Sequence, residues 1–545
     1  MNHNNKHTVN PVVPKDGIAG LKENFSTDAM SGFLVFLLAL PLSLGIAKAS
    51  EFPPIMGLMT AMIGGLLVSF FAGSYLTIKG PAAGLIVIVA GSVAELGNGD
   101  ATVGWHYALG ALVVSGLVQV LFGMMRMGSL VDFFPLSAVH GMLAAIGIII
   151  MSKQFHILLG VSPTTAEGKS MVEPLELLAE IPKTLGHFDH QVAIVGLVSL
   201  AIVLLWPKVK QPFLKKIPAP VLVLLVAIPM AKIMGIKDKM LIHFDQDFIH
   251  TLAWNVDFGG FAQAGTFIKY VIMFALVGSL ESLLTVKAID LMDPAKRKSN
   301  ANKDLIAVGL GNTFAAFLGG LPMISEVARS SSNVNNGAKT RWANFFHGLF
   351  MLIFLFLDLE FSDLIPNAAL AAMLIGVGIK LASPKEFGRM AKIGPEQLVI
   401  FTTTIIVTLA TDLLVGIGVG ILVKLITQFI LGAPLSSIFK ARVKDHGDRM
   451  EVLGAAVFSN WLGINKALSS KSLSENLVLD LSRCNVVDHT VMENLHHLHR
   501  DFEIAGGHLN IIGLEELEHT SKSKHELSAR KRPKDSRVDK LGNIK

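Results

Sequence analysis

The sequence predicts an α-helical polytopic membrane protein of about fourteen transmembrane segments, arranged as two halves of seven in an inverted repeat, followed by a small cytosolic α/β domain. Three observations carry that prediction. Apolar runs recur from residue 29 to residue 431, most of them close to the roughly 20 residues that one crossing needs. Two of the runs are interrupted, at matching places in the two halves, by glycine, proline and charge. Beyond residue 439 the hydropathy falls, and short strands alternate with an amphipathic helix.

The composition agrees. Of 545 residues, 51% are hydrophobic and 16% charged, and the mean hydropathy of +0.55 far exceeds that of a soluble domain. The 50 glycines and 22 prolines suit tightly packed, interrupted membrane helices. The net charge of +5 is therefore read by position, and no nucleic-acid partner is expected. A single cysteine, Cys484, excludes an intrachain disulfide, and no Cys pairs point to zinc. Residues 1–28 are polar without the layout of a signal peptide, so they are expected to remain as a cytosolic N-terminal segment.

The first half, about 29–235, opens with spans at 29–49 around Pro41 and at 55–73. A polar break follows at 75–84, YLTIKGPAAG, which sets Lys79, Gly80 and Pro81 in apolar sequence before a short segment at 82–94. Full spans fit at 104–125, 130–151, 192–206 and 217–235. The second half, about 266–432, repeats the plan with spans at 267–289 and 304–318, a short one from Ser325, then 345–357, 364–381, 398–413 and 414–431.

Its own break, GGLPMISEVARSSSNVNN at 319–336, is the stretch the rest is organised around. Apolar segments flank it, so it lies at membrane depth, yet it carries Pro322, Glu326, Arg329 and a run of Ser and Asn. Such groups survive there only when buried in protein or lining a water-filled cavity. The expected form is a broken helix, extended through Leu321 and Pro322, with a half-helix from about Ser325 whose free N–H groups face the bilayer centre and attract anions. Two breaks in corresponding halves mark an inverted-repeat secondary transporter with its site at the midplane.

Lys and Arg placement tests the count. Threading the spans from a cytoplasmic N-terminus puts Arg126, Lys208, Lys210, Lys215, Lys216, Lys296, Arg297, Lys298, Lys339, Arg341, Lys380, Lys385, Arg389 and Lys392 inside. Short outer connections hold Glu51, Asp358, Glu360 and Asp363, with Lys48 the main exception. This positive-inside pattern places both termini in the cytoplasm. The α/β domain, 446–516, reads as strands at 451–458, 476–481 and 508–514 with a helix at 491–505, and the polar segment 517–545 is expected to be a disordered tail.

Three membrane motifs, KGPAAG at 79–84, VGSLESLLT at 277–285 and GGLP with ARSSSNVNNGAKTR at 328–341, resemble the SulP anion transporters related to the animal SLC26 proteins. LVLDLSRCNVVDHTVMENL at 477–495 is similar to a STAS domain. The resemblance implies core and gate subdomains of UraA/SLC26 type, an anion held between the third and tenth half-helices, and a homodimer in the cell inner membrane. Gly80, Pro81, Ala82 and Ala83 match the third half-helix and Ile324, Ser325, Glu326 and Arg329 the tenth. The implied substrates are small inorganic oxyanions of sulfate or bicarbonate type, carried by alternating access, and a cytosolic protein could dock on the STAS domain. Ala328 stands where many members have Ser, and Leu42 where many sulfate-type members have Gln, which is closer to the bicarbonate-associated branches.

Glu281 lies mid-span with Thr285 one turn on, so a carboxylate and a hydroxyl share a helix face. The pair could take up a proton or ligate Na⁺ as coupling ion, or Glu281 could serve as a structural partner of Arg329. Arg329 offers planar donors to an oxyanion, with an ion pair to Glu326 or Glu281 as its bland alternative. Ser325 could cap its half-helix or donate to the substrate, and Lys79 is expected to flank the site. His489, His496, His497 and His499 fit a solvated face better than a metal site. With no Walker loop and no nucleophile constellation, no enzyme, cofactor or metal is expected. The competing reading is an uncoupled anion channel or an exchanger of chloride or dicarboxylate.

Overall fold

The computed structural model describes residues 13–129, 134–163, 171, 173–211, 217–242, 255–357 and 364–533. Among them, eight helices are long and apolar enough to cross a membrane, and four shorter apolar helices accompany them. In chain order the helices of this region are α1 (Gly17–Ala49), α2 (Pro54–Phe71), α3 (Ala83–Leu96), α4 (Ala101–Met124), α5 (Leu136–Leu158), α6 (Pro174–Gly186), α7 (His190–Leu205) and α8 (Ala219–Ile233). Then follow α9 (Ala264–Met292), α10 (Ala301–Phe317), α11 (Val327–Asn335), α12 (Trp342–Phe356), α13 (Asn367–Leu381), α14 (Pro384–Ile393), α15 (Pro395–Ala410) and α16 (Leu413–Leu431). Side chains of Asp100, Asp189, Asn300 and Asp412 cap four of the starts by accepting from first-turn N–H groups. The helical membrane architecture expected from hydropathy is what the chain forms.

The chain divides into two compact units, one of Met1–Gly128 with Ile149–Gly378, the other of Ser129–Ile148 with Ile379–Lys545. The first holds both helix breaks. Its core packs Leu44, Leu58, Ala61, Val195, Val223, Ala227, Met351 and Ala369, and α2 and α12 cross at Gly65 and Gly348, where neither backbone leaves room for a Cβ. In membrane helices such small residues permit the close approach that dispersion needs.

The second unit carries the α/β domain: β3 (Val443–Asp445), β4 (Arg449–Ala456), α17 (Phe458–Leu468), β5 (Asn476–Val487), α18 (His489–Ala505), β6 (His508–Ile512), β7 (Glu518–His519) and β8 (Arg530–Lys531). The sheet runs β3-β4-β5-β8-β7, with β6 parallel to one stretch of β5. Asp488 caps α18 through Val491 N at 2.9 Å. The same carboxylate accepts from Gln428 Nε2 at 2.8 Å and lies 3.3 Å from Lys424 Nζ, tying the last membrane helix to the domain through a buried pair. Burial, then the charge of Lys424, pushes His489 down to about 4, and its Nδ1 donates to Leu527 O at 2.8 Å.

Several expectations are corrected. The first helix begins before the expected span at 29–49: α1 starts at Gly17, and Asp28 is buried within it, accepting from Lys339 N at 2.7 Å and from Thr340 N and Oγ1. The second half-helix starts at Val327 instead of Ser325, because Glu326 is the capping residue and Ser325 ends a strand. The described part of the expected tail, 517–533, is ordered. Thr520 pairs with Ala529, Ser521 and Ser528 donate to the Lys392 and Ile393 carbonyls, and Arg532 donates to Cys484 O. Its hydroxyls and guanidinium cap backbone groups that composition alone cannot reveal. Helix α6 lies in a stretch where no span was expected. Lys215, Lys216, Asp358, Glu360, Asp363, the start of the span at 130–151 and the tail beyond 533 lie outside the described residues.

Candidate anion site at the paired helix breaks

Glycine and proline free backbone groups at a depth where lipid offers no partner, so those groups must find one in the protein. They find each other. Strand β1 (Lys79–Pro81) pairs antiparallel with β2 (Met323–Ser325), with Lys79 opposite Ser325, Gly80 opposite Ile324 and Pro81 opposite Met323. Side chains satisfy the outward groups: Asn344 Oδ1 accepts from Lys79 N at 3.1 Å, Asn312 Oδ1 from Met323 N at 2.6 Å, and Ser282 Oγ from Ser325 N at 3.1 Å. The starts of α3 and α11 are thereby joined, and Ala82 and Ser325 are both buried.

Lys79 is wholly buried and fully served. Its Nζ donates to both carboxylate oxygens of Asp304, at 2.9 and 2.8 Å, to Thr77 Oγ1 at 2.8 Å, to Ser74 Oγ at 3.0 Å and to Ser325 Oγ at 2.5 Å. Ser325 is therefore held in an ion-pair network and caps nothing.

Arg329 is equally buried, but none of its three guanidinium nitrogens has a hydrogen-bond partner among the described residues. Glu326 Oε2 accepts from the Arg329 backbone N at 2.7 Å, capping α11, and stands 3.9 Å from the guanidinium Nε. Nη1 occupies the space where a Cβ on Gly80 would sit, so a side chain there would push the guanidinium aside. Gly84, in the first turn of α3, is excluded from carrying a Cβ in the same way by the Glu281 carboxylate, whose Oε1 is also unpartnered. Thr285 is buried one turn further along α9. Pro81 and Ala83 are buried at the head of α3.

A buried polar atom left unpaired costs about 1–3 kcal/mol, and more when charged. Among the described residues a guanidinium, a carboxylate oxygen and an imidazole are left unpaired in this part of the protein. The imidazole is His347 on α12, wholly buried, with both ring nitrogens unpartnered and the charge of Arg329 acting on it. It escapes notice in the apolar run WANFFHGLFMLIFLF, although a lone polar side chain at that depth is a signal in itself. Asp304 was expected only as the start of a span, and its partnership with Lys79 lies 225 residues away in sequence.

Compared with known protein families, residues 25–404 match the sulfate permease family. The chain belongs to that family. It is a membrane transport protein and not an enzyme. Among its relatives, YvdB of Bacillus subtilis, which carries a sulfate-transporter name, is 26% identical over 74% of this chain and 73% of its own. The bicarbonate transporter BicA of Picosynechococcus is 24% identical over 79% and 74%. The solved transmembrane domain of a cyanobacterial BicA superposes with a TM-score of 0.64 at 21% identity, over 72% of this chain and 97% of that one. Murine Slc26a9 in its inward-facing state gives 0.65 at 16% identity, over 91% and 86%. These two likenesses establish the fold. Of the residues that the sequence assigned to the site, Gly80 and Glu326 lie against Arg329, Glu281 lies against Gly84 at the head of α3, and Ser325 joins Lys79 on the Asp304 side.

Proposed function

We propose that the protein is a secondary active transporter of small inorganic oxyanions, of sulfate or bicarbonate type, working by alternating access and coupled to H⁺ or Na⁺. The observation that carries the reading is the Arg329 guanidinium, buried without a partner where the two half-helices begin. A planar fork of donors suits an oxyanion, and the head of α3 adds backbone donors and the positive end of a helix dipole.

Coupling follows from counting charge. Glu326 stands 3.9 Å from the Arg329 guanidinium and Glu281 lies against the first turn of α3, so an incoming anion would add negative charge to a region of low dielectric that already holds two carboxylates. A proton or a sodium ion on Glu281, with Thr285 nearby, offsets that charge and links the two fluxes. Gly80 to Ala83 and Ile324 shape the backbone of the pocket in this reading, and Arg329 binds. The inner-membrane location, cytoplasmic termini, a homodimer and a STAS-type role for the α/β domain are expected on the same footing.

Uptake of labelled sulfate and bicarbonate into proteoliposomes, with and without a Na⁺ or pH gradient, tests this. Saturable uptake that accumulates one anion only when a gradient is imposed is expected. Large unsaturating currents without accumulation would replace the carrier with an uncoupled channel.

A further inference from the structure

Buried imidazoles in this chain are normally satisfied. His156, as deeply buried as His347, has Nδ1 2.6 Å from Thr184 Oγ1 and Nε2 2.9 Å from Leu177 O. His347 has neither bond among the described residues. Three contacts fix where it sits. Gly32 of α1 passes its backbone so closely that no Cβ fits. Gly348, the next residue, is the crossing point with α2. Asn344, one turn earlier on the same helix, holds the backbone N of Lys79, the neighbour of Gly80 and hence of the Arg329 guanidinium. His347 thus lies one turn along α12 from the side chain that holds the first break, within reach of the charge of Arg329.

We propose that His347 is a second contact of the anion and that it selects oxyanions still carrying a proton, bicarbonate foremost, over fully deprotonated ones such as sulfate. This rests on the anion site proposed at Arg329. A second buried cation beside Arg329 would be repelled, so the ring acts in its neutral form, with one N–H donor and one lone-pair acceptor. An oxyanion oxygen takes the donor. No described residue donates to the acceptor, so a ligand O–H can serve it, and bicarbonate has one where sulfate has none. Sulfate also brings a second negative charge to a pocket that already holds the Glu326 carboxylate 3.9 Å from Arg329. A site that hydrogen-bonds a substrate hydroxyl rejects the analogue lacking it, because its own polar group is then left unpaired.

The test is uptake of [14C]bicarbonate and [35S]sulfate by proteoliposomes of wild type, His347→Leu, His347→Met, His347→Gln and Arg329→Ala. Wild type is expected to show the lower KM for bicarbonate. Either apolar variant should raise that KM about tenfold or more while moving the sulfate KM less than about twofold, and His347→Gln, which keeps a donor and an acceptor, should recover most of the difference. Reading both apolar variants guards against one failing to fold. Wild-type preference for sulfate, or an unchanged KM ratio in a folded apolar variant, overturns the role of His347. Arg329→Ala separates the two ideas: loss of both anions keeps the site whatever His347 does, and retention of both removes the site itself.

Discussion

Lys79 and Arg329 are the largest fully buried side chains among the described residues, and both belong to the breaks that the strand pair joins. They differ in everything else. The ammonium sits on a carboxylate with three hydroxyls around it, whereas the guanidinium has no hydrogen-bonded partner at all. A buried charge that the protein has already matched is part of the scaffold, and one it has left unmatched is a tool. Lys424 falls on the scaffold side, bound to Asp488 in the second unit.

That contrast can be broken most sharply by removing each cation. Lys79→Met strands a buried Asp304 and should cost about 3–5 kcal/mol of stability, seen as a lowered melting temperature in detergent. Arg329→Met should melt at or above the wild type yet bind sulfate and bicarbonate about ten- to a hundredfold more weakly by calorimetry. Parallel melting losses in the two variants would erase the distinction. Next, Glu281→Gln should bring gradient-driven accumulation down to the level of simple exchange while exchange persists, and undiminished accumulation would take Glu281 out of the coupling. Gly80→Ala pushes a methyl into Nη1 of Arg329, so uptake should fall by the equivalent of about 1–3 kcal/mol, with the Lys79 pair and the melting temperature little changed.

The smallest effect lies in the α/β domain. His489 has its folded-state value lowered from 6.5 to about 4 by burial and by Lys424, so its contribution is intact above pH 6.5 and is lost as pH falls toward 4. Between pH 7 and pH 5.5 the wild type should lose about 1 kcal/mol more than His489→Gln by denaturant titration. Superimposable pH curves would mean the ring is not held neutral.

Hydropathy made the helices legible because one crossing is a long signal, and Gly, Pro and charge inside apolar sequence made both breaks legible. Arg329, Glu281 and the two half-helix starts were readable for that reason. The strand pair was not, since three residues on each side carry no periodicity. Nor was the sorting of charges, because Asp304 and Lys79 meet only through the fold and Ser325 reads the same whether it caps a helix or joins their network. His347 hid for the opposite reason: its neighbours are so apolar that the run reads as an ordinary span. The hairpin at Glu518–His519 and Arg530–Lys531 was lost to composition, since polar sequence looks unstructured until the carbonyls it binds are known.

The short ladder between Lys79–Pro81 and Met323–Ser325 also has a mechanical consequence. Backbone rungs do not stretch, so the heads of α3 and α11 travel as one piece, and any displacement of one drags the other by the same amount. An anion site of the kind proposed above would therefore keep its shape as the two heads move, and without a driving gradient it should hold an anion equally tightly from either face of the membrane.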